Sequence, residues 1–174
     1  DDLAALVDAL ALRGTAYVGH SFSGAAGLVA AAADPGLFGS LVIVGSPSRY
    51  LADPATDYAG VYAWPEVASL LERIQADPAD WIEGFVPAIL GSAATPEMVA
   101  DAARTLAGYP PRILLALFRA ALEVDLRPLI GRIACPTLVI GTTHDPLVPV
   151  EVLRALADAI PGAAFATIDA GGHH

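Results

Sequence analysis

Apolar residues at positions 3, 6, 7 and 10 of the stretch Asp1 to Leu12 fall on one face of a helix. Asp1 or Asp2 is placed to cap that helix, and Gly14 to end it. The short apolar run Ala16-Tyr17-Val18-Gly19 then predicts a strand, and Ser23 to Ala33 a second helix closed by Asp34-Pro35-Gly36. Leu41 to Val44 predicts a second strand. Helix, strand, helix, strand is the rhythm of a parallel sheet covered by helices.

The rhythm breaks from Ser46 to about Ile133, where no strand pattern stands out. Helical patterns run instead over Trp64 to Gln75, Pro78 to Leu90, Pro96 to Gly108 and Pro111 to Glu123, punctuated by proline and glycine. The first rhythm then returns as a strand over Thr137 to Gly141, a helix over Val150 to Ile160 and a strand over Ala164 to Ile168. The expected fold class is α/β, a parallel sheet with a helical insert. Three units follow: a first core part over 1–47, a helical unit over 48–130 and a second core part over 131–174. Such an insert is placed to cover the carboxyl ends of the strands, where open α/β sheets bind ligands. The alternative is further α/β layering.

Composition narrows the function classes. The chain has 174 residues, 55% hydrophobic and 16% charged, which excludes a disordered chain. The most apolar stretch, Ala25 to Ala33, stops at Asp34-Pro35 and is far short of the roughly 18–20 residues that cross a bilayer. Nine arginines and no lysine stand against 19 acidic residues, for a net charge of −10. That balance argues against nucleic acid and against anionic membrane surfaces as partners. Cys135 stands alone, so neither an internal disulfide nor a cysteine-based metal cluster is expected. With no His-Glu-x-x-His and no phosphate-binding glycine loop, no metal site and no nucleotide cofactor is expected. The acidic opening DDLAALVDAL is no signal peptide, which favours a cytoplasmic location. The missing initiator Met and the ending Gly171-Gly172-His173-His174 suggest part of a longer protein.

The sharpest chemical signal is Gly19-His20-Ser21-Phe22-Ser23-Gly24, which follows a strand and opens a helix. A serine at that junction sits on a tight turn that projects its hydroxyl, and small neighbours let strand and helix pass closely. The second small residue is Ser23, with Gly24 just behind. The backbone N–H of Phe22, at the helix start, is placed to face a developing oxyanion. A chance small-Ser-small turn is the alternative. A serine nucleophile needs a base and an orienting acid. Asp145 follows the third strand, and His173 and His174 follow the last, so Ser21, Asp145 and a terminal histidine stand in the order of a Ser-Asp-His hydrolase. Competing roles are a turn aspartate before Pro146 and surface histidines at a frayed terminus. His20 either points away or lines the pocket.

These stretches resemble the α/β-hydrolase superfamily. More narrowly, they are similar to the branch of bacterial sigma-B stress regulators and plant strigolactone and karrikin receptors. The elbow carries the superfamily resemblance; Arg49-Tyr50-Leu51 and Trp81-Ile82-Glu83-Gly84-Phe85 carry the branch, with Asp57-Tyr58-Ala59-Gly60, Val124-Asp125-Leu126-Arg127 and Cys135-Pro136 in support. The resemblance implies Ser21 as nucleophile, Asp145 as acid and His173, straight after a glycine, as base. It implies a four-helix lid over roughly Asp57 to Asp125, with Tyr62, Trp81 and Phe85 lining an apolar pocket above Ser21 and Leu122 and Val148 nearby as substrate-binding candidates; packing within the lid core is the alternative role. It implies no cofactor. A further oxyanion donor, on a His-Gly loop after an early strand, is expected before Asp1. These residues then form the second two-thirds of a hydrolase. Alone they are expected to expose a sheet edge and to be poorly soluble or inactive.

The expected activity is cleavage of small apolar esters or lactones. The alternative is a ligand-sensing signalling protein with slow or no turnover, presenting its lid to a protein partner. Perhydrolase and carbon–carbon hydrolase chemistry use the same scaffold, so fold alone does not decide among them.

Overall fold

The computed structural model describes residues 2–92 and 94–173. Its elements run α1 (Asp2–Ala9), β1 (Ala16–His20), α2 (Phe22–Ala33), β2 (Ser40–Val44), α3 (Trp64–Ala76), α4 (Pro78–Leu90), α5 (Pro96–Ala107), α6 (Pro111–Glu123), α7 (Arg127–Ile130), β3 (Thr137–His144), α8 (Val150–Ala159) and β4 (Ala164–Gly171). The four strands form one parallel sheet in the order β1-β2-β3-β4. Every strand therefore ends at the same edge of the sheet, and the loop after each one opens there.

Alternation sets the burial of the sheet. Leu41 and Ile43 of β2 point into the core, with Val139 of β3 beside them. Leu28 of α2, Ile130 of α7 and Leu153 and Leu156 of α8 close the same cluster. The middle helices α3 to α6 lie between β2 and β3 in the chain and build a second core, around Val67, Leu71, Ile74, Trp81, Val86, Leu114 and Leu122. Their starts are chemically marked. The Asp77 carboxylate accepts the Ala79 and Asp80 N–H groups at the head of α4, and the Thr95 hydroxyl accepts that of Met98 at α5. The Glu66 side chain accepts the Ala63 N–H before α3.

The two ends of the helical segment meet. Leu126 N–H donates to Ser48 O at 2.8 Å, and Arg49 pairs with Asp125 as an isolated antiparallel bridge. Arg49 and Arg127 share Asp53 and Asp125 in one ionic network. The guanidinium of Arg127 is the chief cause holding both carboxyls below their ordinary range.

Several boundaries differ from the pattern read in the sequence. The first helix ends at Ala9 rather than Leu12, because Ala11 takes the left-handed conformation (φ 54°). Leu12 N–H then bonds Val7 O and Ala11 N–H bonds Asp8 O, closing a Schellman motif without glycine. β3 and β4 run three residues further than expected, to His144 and Gly171, because polar side chains do not prevent main-chain pairing at the strand ends. The four-residue α7 had no sequence pattern long enough to register. No described helix is long and apolar enough to cross a membrane.

Candidate active site

The loops at the carboxyl edge bring Ser21, Asp145 and His173 together. Ser21 sits between β1 and α2 with φ 52° and ψ −122°, a conformation that costs on the order of 1–3 kcal/mol for a residue other than glycine. The turn is held by tight packing. A Cβ on Gly19 would lie 2.8 Å from the Gly24 Cα, and one on Gly24 would lie 2.7 Å from the Ser46 Cβ. Gly24, not residue 23, thus makes the close approach. Ser23 serves differently: its hydroxyl donates to His20 O at 2.8 Å and accepts the His20 N–H at 3.0 Å.

His173 Nε2 lies 2.8 Å from the Ser21 Oγ, and His173 Nδ1 lies 2.8 Å from Asp145 Oδ2. A carboxylate oxygen accepts, so Nδ1–H donates to Asp145 and Nε2 accepts from the serine hydroxyl. The other Asp145 oxygen accepts the N–H groups of Leu147 and Val148 at 2.7 and 3.1 Å. The side chains of His173 and Asp145 are 3% and 1% exposed, so bulk water scarcely competes for their bond. Gly45, in the loop after β2, lies beneath them: a Cβ there would stand 3.1 Å from His173 Cε1.

The remaining predicted site residues fall in different places. The His20 side chain neither points away nor faces open solvent; its Nε2–H donates to the His173 carbonyl, with the two rings tilted 4.8 Å apart. Burial lowers its pKa first, against the bond to that carbonyl, which raises it. Phe22 is the first residue of α2, so its N–H has no partner within the helix. Its ring is exposed. Tyr62 is partly buried, its phenol raised by burial first and then by the Asp145 charge. Trp81 stacks on Phe85 with centroids 4.4 Å apart, and Phe118 closes on both rings edge-on. Trp81 and Leu122 are buried in that second core, while Phe85 stays partly exposed. The Val148 side chain is fully buried in the sheet core, and its N–H donates to Asp145. His174, the other terminal candidate, lies outside the described residues.

Sequence reasoning passed over Tyr50. Its phenol neighbours Ser21; burial pushes it up to about 12, while a hydrogen bond with the Ser21 side chain opposes the rise. The run Arg49-Tyr50-Leu51 carries the resemblance, but nothing in its pattern places a tyrosine beside a serine 29 positions earlier. Phe118 was likewise absorbed into a helical stripe.

A hydroxyl on a strained strand-to-helix turn, an imidazole within hydrogen-bond reach and a buried carboxylate behind it are the parts of an activated nucleophile. Helix-start N–H groups beside the hydroxyl supply a place for negative charge. On this fold, such an arrangement belongs to a large class of hydrolases. The chain is a member of the alpha/beta hydrolase fold family, whose family model matches residues 1–174. It is 36% identical over 162 residues to a strigolactone esterase, D14, of Arabidopsis thaliana, covering 93% of this chain and 60% of that protein. It is 30% identical over 167 residues to the karrikin insensitive 2 receptor B of Petunia hybrida, covering 96% and 60%. Among solved structures, a hydrolase from Oleispira antarctica superposes with a TM-score of 0.92 at 22% identity, over 99% of this chain and 63% of that one. At that identity the likeness shows the fold alone. The chain spans about three fifths of the length of these curated relatives.

Proposed function

We propose that this protein is a serine hydrolase of small apolar esters or lactones. The observation that carries the reading is the hydrogen-bonded chain from Asp145 through His173 to Ser21, at 2.8 Å in both links. Ser21 Oγ attacks the ester carbonyl carbon while His173 Nε2 takes the hydroxyl proton. Asp145 holds the imidazole in the required tautomer and faces the imidazolium that forms. The Phe22 N–H faces the carbonyl oxygen as it becomes negative. Collapse of that intermediate breaks the bond to the leaving alkoxide, which takes the proton from His173 and departs as an alcohol. Water, deprotonated by His173, then attacks the acyl carbon; collapse breaks the bond to Ser21 Oγ, which takes the proton back from His173, and the acid is released. Phe85 and Tyr62, both partly exposed, offer the apolar wall that selects a small, greasy substrate. Ser21→Ala lowers kcat for p-nitrophenyl acetate by at least about 10⁴-fold, because members of such a unit act together. A variant as active as the parent protein overturns the assignment.

The relative named as a karrikin receptor supports a second reading, a sensor in which the bound or slowly cleaved ligand changes the helical segment that a partner reads. Titration of a candidate partner against the protein separates the two. Partner binding that needs ligand and Ser21 favours sensing; fast turnover without any partner favours the hydrolase.

A further inference from the structure

Main chain meets main chain where the end of α4 touches the loop after β4. A helix leaves its last carbonyls without donors of its own. At the end of α4, Pro87 O is taken by the Gly91 N–H at 3.2 Å, but Ile89 O is taken by the backbone N–H of His173 at 2.7 Å. The approach is too close for side chains on either side. A Cβ on Gly172 would lie 2.5 Å from Leu90 O, and a Cβ on Gly91 would lie 3.0 Å from Gly172 N and 3.2 Å from its Cα. On the other side of the same residue, the His173 carbonyl accepts from His20 Nε2. The main chain of His173 is therefore pinned twice, once by the turn that carries Ser21 and once by a helix of the segment between β2 and β3. Its imidazole reaches Ser21 and Asp145 from that fixed base.

We propose that the last turn of α4 positions His173, so that the ester is cleaved only while this turn is seated on the Gly172–His173 main chain. The proposal rests on the reading of Ser21 as nucleophile and His173 as its base. It makes the helical segment a part of catalysis and not only a wall of the site. When α4 lifts, Ile89 O withdraws, and the His173 main chain loses its hold on the helical side. A misplacement of about 1 Å at such a group costs on the order of 10²-fold in rate. The seating of this helix end thus reports, through one backbone bond, whether the base is in place to react.

The test separates the hold from general damage. Gly91→Ala adds a methyl against Gly172 from the helix side, where φ is +75°. Gly162→Ala places the same methyl at φ +72° in open space and controls for backbone strain; Gly171→Ala, also open, controls for change at the end of β4 itself. Ile89→Ala loosens the turn while keeping a good helix former, and so serves if Gly91→Ala does not fold. Each variant is assayed for kcat and KM on p-nitrophenyl acetate, for Ser21 labelling by a fluorophosphonate, and for amide exchange at His173. Gly91→Ala is expected to lower kcat and labelling by about 10- to 100-fold. Its KM stays within about twofold and its His173 amide exchanges faster, as expected of lost positioning and not lost binding. Ile89→Ala shifts the same readouts in the same direction by less, and the two controls stay near the parent. Faster His173 exchange with an undiminished kcat overturns the proposal, as does unchanged exchange and kcat in both Gly91→Ala and Ile89→Ala. Should Ser21→Ala retain activity, the nucleophile assignment has failed; should it be inactive while Gly91→Ala is fully active, only the α4 proposal has failed.

Discussion

The sheet and the helical segment between β2 and β3 are packed by opposite means. At the sheet, glycines let neighbours approach the main chain closely: Gly19 against the Gly24 backbone, Gly24 against the Ser46 side chain, and Gly27 against the Tyr17 ring, where a Cβ would come within 2.3 Å. In α3 to α6 the core is filled by large side chains, with Trp81, Phe85 and Phe118 interlocked and Gly84 of α4 facing open space. The difference teaches where tolerance lies. A surface packed directly against glycine main chain has no room for an added atom. A core made of long side chains is damaged by a missing one. Geometry at Ser21 has to be fixed to fractions of an ångström, so the intolerant packing surrounds it.

The largest expected effect breaks the helical side. Trp81→Ala removes the centre of the aromatic cluster and costs about 3–5 kcal/mol, read by urea denaturation. A loss under about 1 kcal/mol would show that these helices hold together by other contacts. A smaller pair of effects sharpens the contrast directly, because one substitution is expected to act with opposite sign in the two regions. Gly24→Ala drives a methyl into Ser46 and costs about 1–3 kcal/mol. Gly84→Ala, on the open face of α4, adds about 0.4–1 kcal/mol by restricting the unfolded chain. Equal effects of the same sign, measured by thermal unfolding of both variants, would end the comparison.

The smallest effect distinguishes the regions by pH. The folded pKa of His20 is lowered from 6.5, chiefly by burial, so the unfolded chain takes up its proton first. That contribution to stability is complete above about 6.5 and is lost as pH falls below it. The carboxyls of Asp53 and Asp125 are lowered from 3.8, chiefly by Arg127, so their contribution persists to much lower pH and fades only beneath that value. Mild acid therefore weakens the edge of the sheet before the ionic seam of the helical segment. In a melting-temperature series from pH 7.5 to 5, His20→Gln, whose amide can still donate to the His173 carbonyl, has a flatter profile than the parent. An unchanged slope would assign the acid sensitivity to another group.

Legibility in the sequence followed the range of the forces involved. The starts of α4 and α5 are visible because Pro78 and Pro96 mark the first helical positions, a local signal that the caps Asp77 and Thr95 reinforce in the structure. The elbow was visible for the same reason: Ser21 and its small neighbours are local, and the chain order of Ser21, Asp145 and His173 follows from one loop per parallel strand. The end of α1 was hidden because Ala11, with no glycine to mark it, takes the left-handed position. The neighbourhood of Tyr50, the support from Gly45 and the bond from His173 to Ile89 were hidden too. Each is a contact between distant segments, and the last involves only backbone atoms, which every residue carries alike. Val148 shows the same limit: its place near the site is legible, but the N–H it donates to Asp145 is a main-chain contact that its side chain does not announce.

The seam at Ser48 and Leu126 has a consequence for variation. Because the chain leaves the sheet and returns at adjoining points, closed by one backbone bond and the Arg49–Asp125 pair, the register of β2 with β3 is set without reference to what lies between. The intervening helices form a cassette. They can be lengthened, trimmed or exchanged at a modest entropic cost that grows only with the logarithm of loop length. One constraint reaches beyond the cassette's own core and pocket wall: any replacement must still end a helix against Gly172 and offer a carbonyl to His173.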